Sequence, residues 1–188
     1  AAGFAFVTFE FRHPVTNVSE GAPHNDIGRA LQVLRSFHQA LGLERSQFFA
    51  LGRSRGSLAI WQSLQADLAN PNASDYAGRQ SSGLQGVWAL DAQILYSTVR
   101  FTELYVRPED RAAMLALHPD DARWGSAIDD VATASWLPPL VMIHDKPYFG
   151  RLATQAEAES NLLHFPDAGR LMGDAYRAAG AGEEIGRA

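Results

Sequence analysis

Gly52-Arg53-Ser54-Arg55-Gly56 is the stretch with the most chemistry in it. The apolar run Phe48-Phe49-Ala50-Leu51 precedes it, and the small-residue helix start Ser57-Leu58-Ala59 follows. Read as strand, tight turn and helix, this pattern lifts the Ser54 hydroxyl above the strand ends in a cramped backbone conformation. Gly52 and Gly56 are then expected where a Cβ would collide with the neighbouring strand or helix. The first N–H groups of the helix face the same spot, and the Arg55 backbone N–H is the expected donor to a developing oxyanion. The chemistry is nucleophilic attack by Ser54, which needs an imidazole within hydrogen-bond reach, oriented by a carboxylate. The plain alternative is a glycine-rich strand-to-helix turn with no reactive role.

The elements that would position Ser54 are legible on both sides. Residues 3–11 are dense in aromatic and β-branched types and read as a buried strand, and 12–24 read as a loop. Asn25 and Asp26 are the caps of a helix over 26–41, with Ile27, Ala30, Leu31, Leu34, His38 and Leu41 on its apolar side and Gly42 ending it. The strand at 48–51 follows, then a helix to about Leu68, a loop over 70–83 and a strand at 87–90 ending at Asp91. Residues 92–137 are irregular, with a helix from Pro108 to Leu117 that Trp124 and Trp136 could pack down. Pro138 and Pro139 open a strand at 140–144, where a missing N–H matters little, and a last helix spans 166–179.

This alternation predicts an α/β fold with a mostly parallel sheet and helices on both faces. The strands at 48–51, 87–90 and 140–144 should be adjacent and parallel, with Ser54 at their C-terminal edge. Residues 1–188 read as a single domain, with a cap or insertion at about 92–137. A domain opening on the core strand 3–11 should leave apolar sheet surface exposed there, and such a surface favours self-association.

Composition narrows the partners. The 188 residues are 46% hydrophobic and 20% charged, with a formal net charge of −5 and no cysteine. Thiol catalysis, disulfides and cysteine metal sites are excluded. Neither the net charge nor any Lys/Arg run suits a nucleic-acid surface, so no nucleic-acid partner is expected. No apolar run approaches a membrane span and no signal peptide is visible, which leaves the compartment open. Histidines and carboxylates are scattered without metal spacing, so no metal and no cofactor are expected.

The elbow, the capped helix before it and the Pro-Pro strand resemble the α/β-hydrolases, and within them the carboxylesterase and lipase-like branch. The resemblance covers most of residues 3–180, and only the elbow is a specific motif. It implies a serine hydrolase on carboxylic esters, with a small-molecule ester as substrate, an acyl-enzyme on Ser54 and the Arg55 N–H in the oxyanion hole. Two departures matter: the family's His-Gly-Gly oxyanion loop would precede residue 3, and its histidine base would fall beyond Ala188. The chain therefore reads as an incomplete domain of this type. For the acid, Asp145 after the strand at 140–144 is the nearest carboxylate, Asp91 is second and Glu159 third. For the base within the chain, His164 and His144 follow Ser54 in the family's order, with His164 early for the usual position. Arg53 and Arg55 could favour anionic acyl groups or could pair with rim carboxylates such as Glu10 or Asp26. The rival to an enzyme is a degenerate or fragmentary hydrolase-fold protein acting as a binding or structural partner.

Overall fold

A computed structural model of the protein describes residues 3–12, 22–119, 126–145, 151–160, 164–165 and 167–181, with side chains described from residue 25 in the second segment. Three strands pair in parallel: β1 (Phe49–Arg53), β2 (Gly86–Leu90) and β3 (Leu140–Ile143), with β2 in the middle. They are the three adjacent strands expected around the elbow. Register places Gly52, Ala89 and Met142 side by side, and Leu51, Trp88 and Val141 likewise.

Side chains alternate across a strand, so this register sorts them into two faces. Ala50, Gly52, Val87, Ala89, Leu140 and Met142 share the face turned to the core. The other face carries Phe49, Leu51, Trp88, Val141 and Ile143, all 42–59% exposed. Trp88 and Phe49 lean on one another with ring centroids 5.9 Å apart. Among the described residues the packing is thus one-sided, which corrects the expectation of helices covering both faces.

The core face meets helix α2 (Leu58–Leu64), whose seven residues are all buried. A helix buried on every side is central rather than amphipathic. It stops short of the expected Leu68 because Gln65 turns extended and its amide donates to Asp130 at 2.6 Å. Asp67 then accepts the Ser82 N–H at 2.8 Å, drawing the chain across to the 80–83 loop. Helix α1 (Ala22–Ser36) packs on α2. It starts before the expected caps: Asp26 lies inside it and grips the Arg12 guanidinium at 2.6–3.2 Å. It ends before the expected Leu41, and the chain leaves through a turn with Gly42 at φ +65°. Ile27 and Leu31 face the core as read from their spacing, but Arg35 is buried one turn further on. Its guanidinium donates to the carbonyls of Arg45, Ser81 and Gly83 at 3.2, 2.8 and 2.6 Å and lies 4.5 Å over the Phe48 ring. Burial lowers its pKa from the ordinary arginine value.

Beyond β2 the irregular stretch is more helical than the sequence suggests. It holds α3 (Thr98–Tyr105), capped by the Ser97 hydroxyl, then α4 (Arg111–Leu117) behind a 3-10 turn at Pro108–Asp110, and the short α5 (Ala127–Asp130). Phe101, Thr102 and Tyr105 bury one side of α3. Trp136 is 54% exposed, and its ring nitrogen donates to the Leu84 carbonyl at 3.4 Å; Trp124 lies outside the described residues. After β3 come α6 (Gln155–Ser160) and α7 (Ala168–Ala178), the latter against β3 through Gly169 and Met142. Residues 3–12 correct another expectation. They form no strand, and Phe4 and Phe6 are 90% and 78% exposed. A strand exists only where a neighbouring backbone pairs it, and none of the three strands does so.

The β1-to-α2 passage is a 3-10 turn, Ser54–Ser57, running straight into the helix. A Cβ on Gly52 would sit 2.1 Å from the Gly56 carbonyl oxygen, so only glycine lets the turn fold back on the strand. At Gly56 an added Cβ would meet nothing within 4 Å, contrary to expectation. The two glycines should therefore respond differently. Gly52→Ala should lower stability by about 2 kcal/mol or more, as overpacking against backbone does. Gly56→Ala should change it by less than about 1 kcal/mol. Urea unfolding of both variants checks this, and equal effects would contradict it. In the same assay Arg35→Met should lose about 2–4 kcal/mol, because the buried guanidinium is the charged donor to three carbonyls. A loss below about 0.5 kcal/mol would mean water replaces the guanidinium there.

Candidate active site

Ser54 stands at the C-terminal edge of the sheet with φ +54°, a conformation a non-glycine residue rarely adopts. The strain is over-determined by its surroundings. Ser57 Oγ donates to the Ser54 carbonyl at 2.5 Å and accepts the Gln93 backbone N–H at 2.8 Å. One buried hydroxyl thus ties the elbow to the loop after β2. Arg55, the residue of the expected oxyanion donor, follows Ser54 in the first turn of the 3-10 segment.

His164 reaches this serine from 110 residues away. Its Nε2 lies 3.1 Å from Ser54 Oγ, and its Nδ1 lies 2.8 Å from the Asp91 backbone carbonyl. A carbonyl can only accept, so Nδ1 carries the proton in the neutral ring and Nε2 offers its lone pair to the serine. The structure thus brings an imidazole to Ser54 from within the chain, where the resemblance implied one beyond Ala188. The Gln93 side-chain amide shares the spot, with Nε2 2.9 Å from His164 Nε2 and 3.4 Å from Ser54 Oγ.

The carboxylates fall differently from the expected order. Asp91 follows β2 at φ +48°, a left-handed position where aspartate is among the better tolerated residues. It meets His164 through its main chain, while its carboxylate accepts the Asp145 N–H at 3.1 Å and the Arg53 Nε at 3.2 Å. The Asp145 backbone donor, aided by Arg53, lowers the Asp91 pKa against the opposing effect of burial. The Asp145 side chain is 63% exposed and lies 3.8 Å from Arg53. Glu159 sits 3.7 Å from His118. Arg53 therefore pairs with rim carboxylates, but with Asp91 and Asp145 rather than Glu10 or Asp26. His144 is half-buried, its Nε2 has no hydrogen-bond partner among the described residues, and burial lowers its pKa.

Among the described residues no group of histidines and carboxylates is arranged to hold a metal ion, and no helix is long and apolar enough to cross a membrane. A cavity of about 240 Å³ lined by residues such as Leu104, Arg151 and Arg170 does not include Ser54. Sequence reasoning missed Gln93 and the Asp91 carbonyl. Neither carries a sequence signal: one is an ordinary glutamine, and the other acts through its backbone.

No family model and no curated protein matches this sequence. Solved structures do match. One is a thermophilic esterase from the Planctomycetes species Thermogutta terrifontis with propionate bound, at TM-score 0.55 and 19% identity over 91% of this chain and 55% of that chain. The apo form of Thermogutta terrifontis esterase 2 gives TM-score 0.53 and 20% identity over 91% and 55%. A truncated carbohydrate esterase from gut microbiota gives 0.52 and 15% over 85% and 57%. The chain spans about half the length of these structures. At such identities the likeness is one of fold: α/β, a parallel sheet with helices packed on its core face, of α/β-hydrolase-like type.

Proposed function

We propose that the protein is a serine hydrolase of carboxylesterase or lipase-like type, acting on small carboxylic esters through an acyl-enzyme on Ser54. The observation that carries this reading is the 3.1 Å approach of His164 Nε2 to Ser54 Oγ, with Nδ1 held by the Asp91 carbonyl. Ser54 Oγ bonds to the ester carbonyl carbon while its proton passes to His164 Nε2. The Arg55 N–H takes the developing oxyanion. The alcohol leaves with the proton from His164, and water, giving its own proton to the same nitrogen, releases the carboxylic acid and restores Ser54. Asp145 acts at one remove in this scheme, its N–H holding the Asp91 loop that orients His164. The esterase folds above support the ester as substrate class.

A second reading, a non-catalytic hydrolase-fold binding partner, draws on the same contact. A neutral carbonyl on Nδ1 stabilises an imidazolium less than a carboxylate would. The bare face of Phe49, Leu51, Trp88, Val141 and Ile143 favours association with a second copy in either case. The net charge of −5 disfavours a nucleic-acid partner.

A fluorophosphonate probe separates the two readings. The probe should modify Ser54, and Ser54→Ala should abolish labelling with less than about 1 kcal/mol change in stability. His164→Gln should slow labelling by roughly 10³-fold or more, as loss of the base does. Asp145→Asn should slow it less than about tenfold, because its side chain is exposed and its backbone donor survives. Labelling at another residue, or undiminished labelling of His164→Gln, would sink the proposal.

A further inference from the structure

Gln93 is 4% exposed, yet its side chain ends at the two reacting atoms. Its orientation is set from behind. The Tyr96 hydroxyl donates to Gln93 Oε1 at 3.2 Å, and burial pushes the Tyr96 phenol well above its ordinary range, so it stays a donor. With Oε1 turned to Tyr96, the NH₂ group must face Ser54 and His164. The backbone is anchored too, by the Gln93 N–H on Ser57 Oγ. His164 in its neutral form has one lone pair in the site, on Nε2, because Nδ1 is committed to the Asp91 carbonyl. Two donors converge on it: the Ser54 hydroxyl at 3.1 Å and the Gln93 amide at 2.9 Å. One lone pair cannot serve both fully.

We propose that Gln93 restrains the nucleophile: its amide N–H holds the His164 Nε2 lone pair in the resting protein and competes with Ser54 for the base. Displacement of that amide frees the lone pair to take the Ser54 proton. The contact stands on geometry alone, whereas its effect on reactivity rests on the serine-hydrolase reading.

Two measurements on the full chain test the two parts separately. In ¹⁵N-labelled protein, a coupling across the hydrogen bond between Gln93 Nε2 and His164 Nε2 is expected in the wild type and absent in Gln93→Met. Labelling of Ser54 by a fluorophosphonate, in which an oxygen–phosphorus bond forms, fluoride leaves and the serine proton goes to His164, should be several-fold faster in Gln93→Met. Should that variant fail to fold, Tyr96→Phe removes the hydroxyl that holds Oε1, and should weaken the coupling and speed labelling in the same direction. No coupling in the folded wild type overturns the contact. Coupling together with slower labelling of the folded variants overturns the restraint and makes the amide an assisting donor. Coupling without labelling of any protein leaves the contact standing and removes the hydrolase reading, while labelling without coupling does the reverse.

Discussion

The approach of Gly52 to the Gly56 carbonyl is the constraint on which the site depends. A strand that must turn into a helix within four residues has to fold its own backbone back on itself, and the 2.1 Å clearance at Gly52 leaves no room for any side chain. That fold-back pushes Ser54 to φ +54° and stands its hydroxyl clear of the strand end. The strain is held because β1 is locked in register with β2 and because Ser57 fastens the turn to the next loop. Remove the close approach and neither the hydroxyl nor its partners share a common origin.

Around that point the site is built from the ends of all three strands. Arg53 ends β1, Asp91 follows β2, and Asp145 follows β3. Their mutual contacts form a rim: Arg53 on Asp91, the Asp145 N–H on Asp91, and the Asp91 carbonyl on His164. Asp91 divides its labour, with a carboxylate facing the neighbouring strands and a carbonyl facing the imidazole. The consequence is that the orientation of His164 depends on strand register more than on any single acidic side chain.

Much of this was legible in the residues. The glycines around Ser54 and the apolar runs at 48–51, 87–90 and 140–144 have local signatures, and the three strands appear within one or two residues of the expected bounds. Helix ends were less legible, because α1 and α2 stop where Arg35, Gln65 and Asp67 find distant partners. Residues 3–12 have strong strand propensity but no partner backbone, and propensity without pairing makes no strand. His164 showed only the right order along the chain. Its approach to Ser54 is a tertiary fact that spacing cannot encode, as is the burial of Arg35 and Gln93.

The span between Ser54 and His164 also has a kinetic meaning. Their contact closes 110 residues of chain, and it presupposes β1–β2–β3 pairings that are themselves non-local and parallel. Loop closure of this kind must be completed before the contact returns any stabilisation, so such topologies fold slowly. The elbow can take shape while the histidine is still far off. A chain emerging from synthesis would expose Ser54 long before it meets His164. The serine–histidine contact would then be a late marker of native topology rather than an early nucleus.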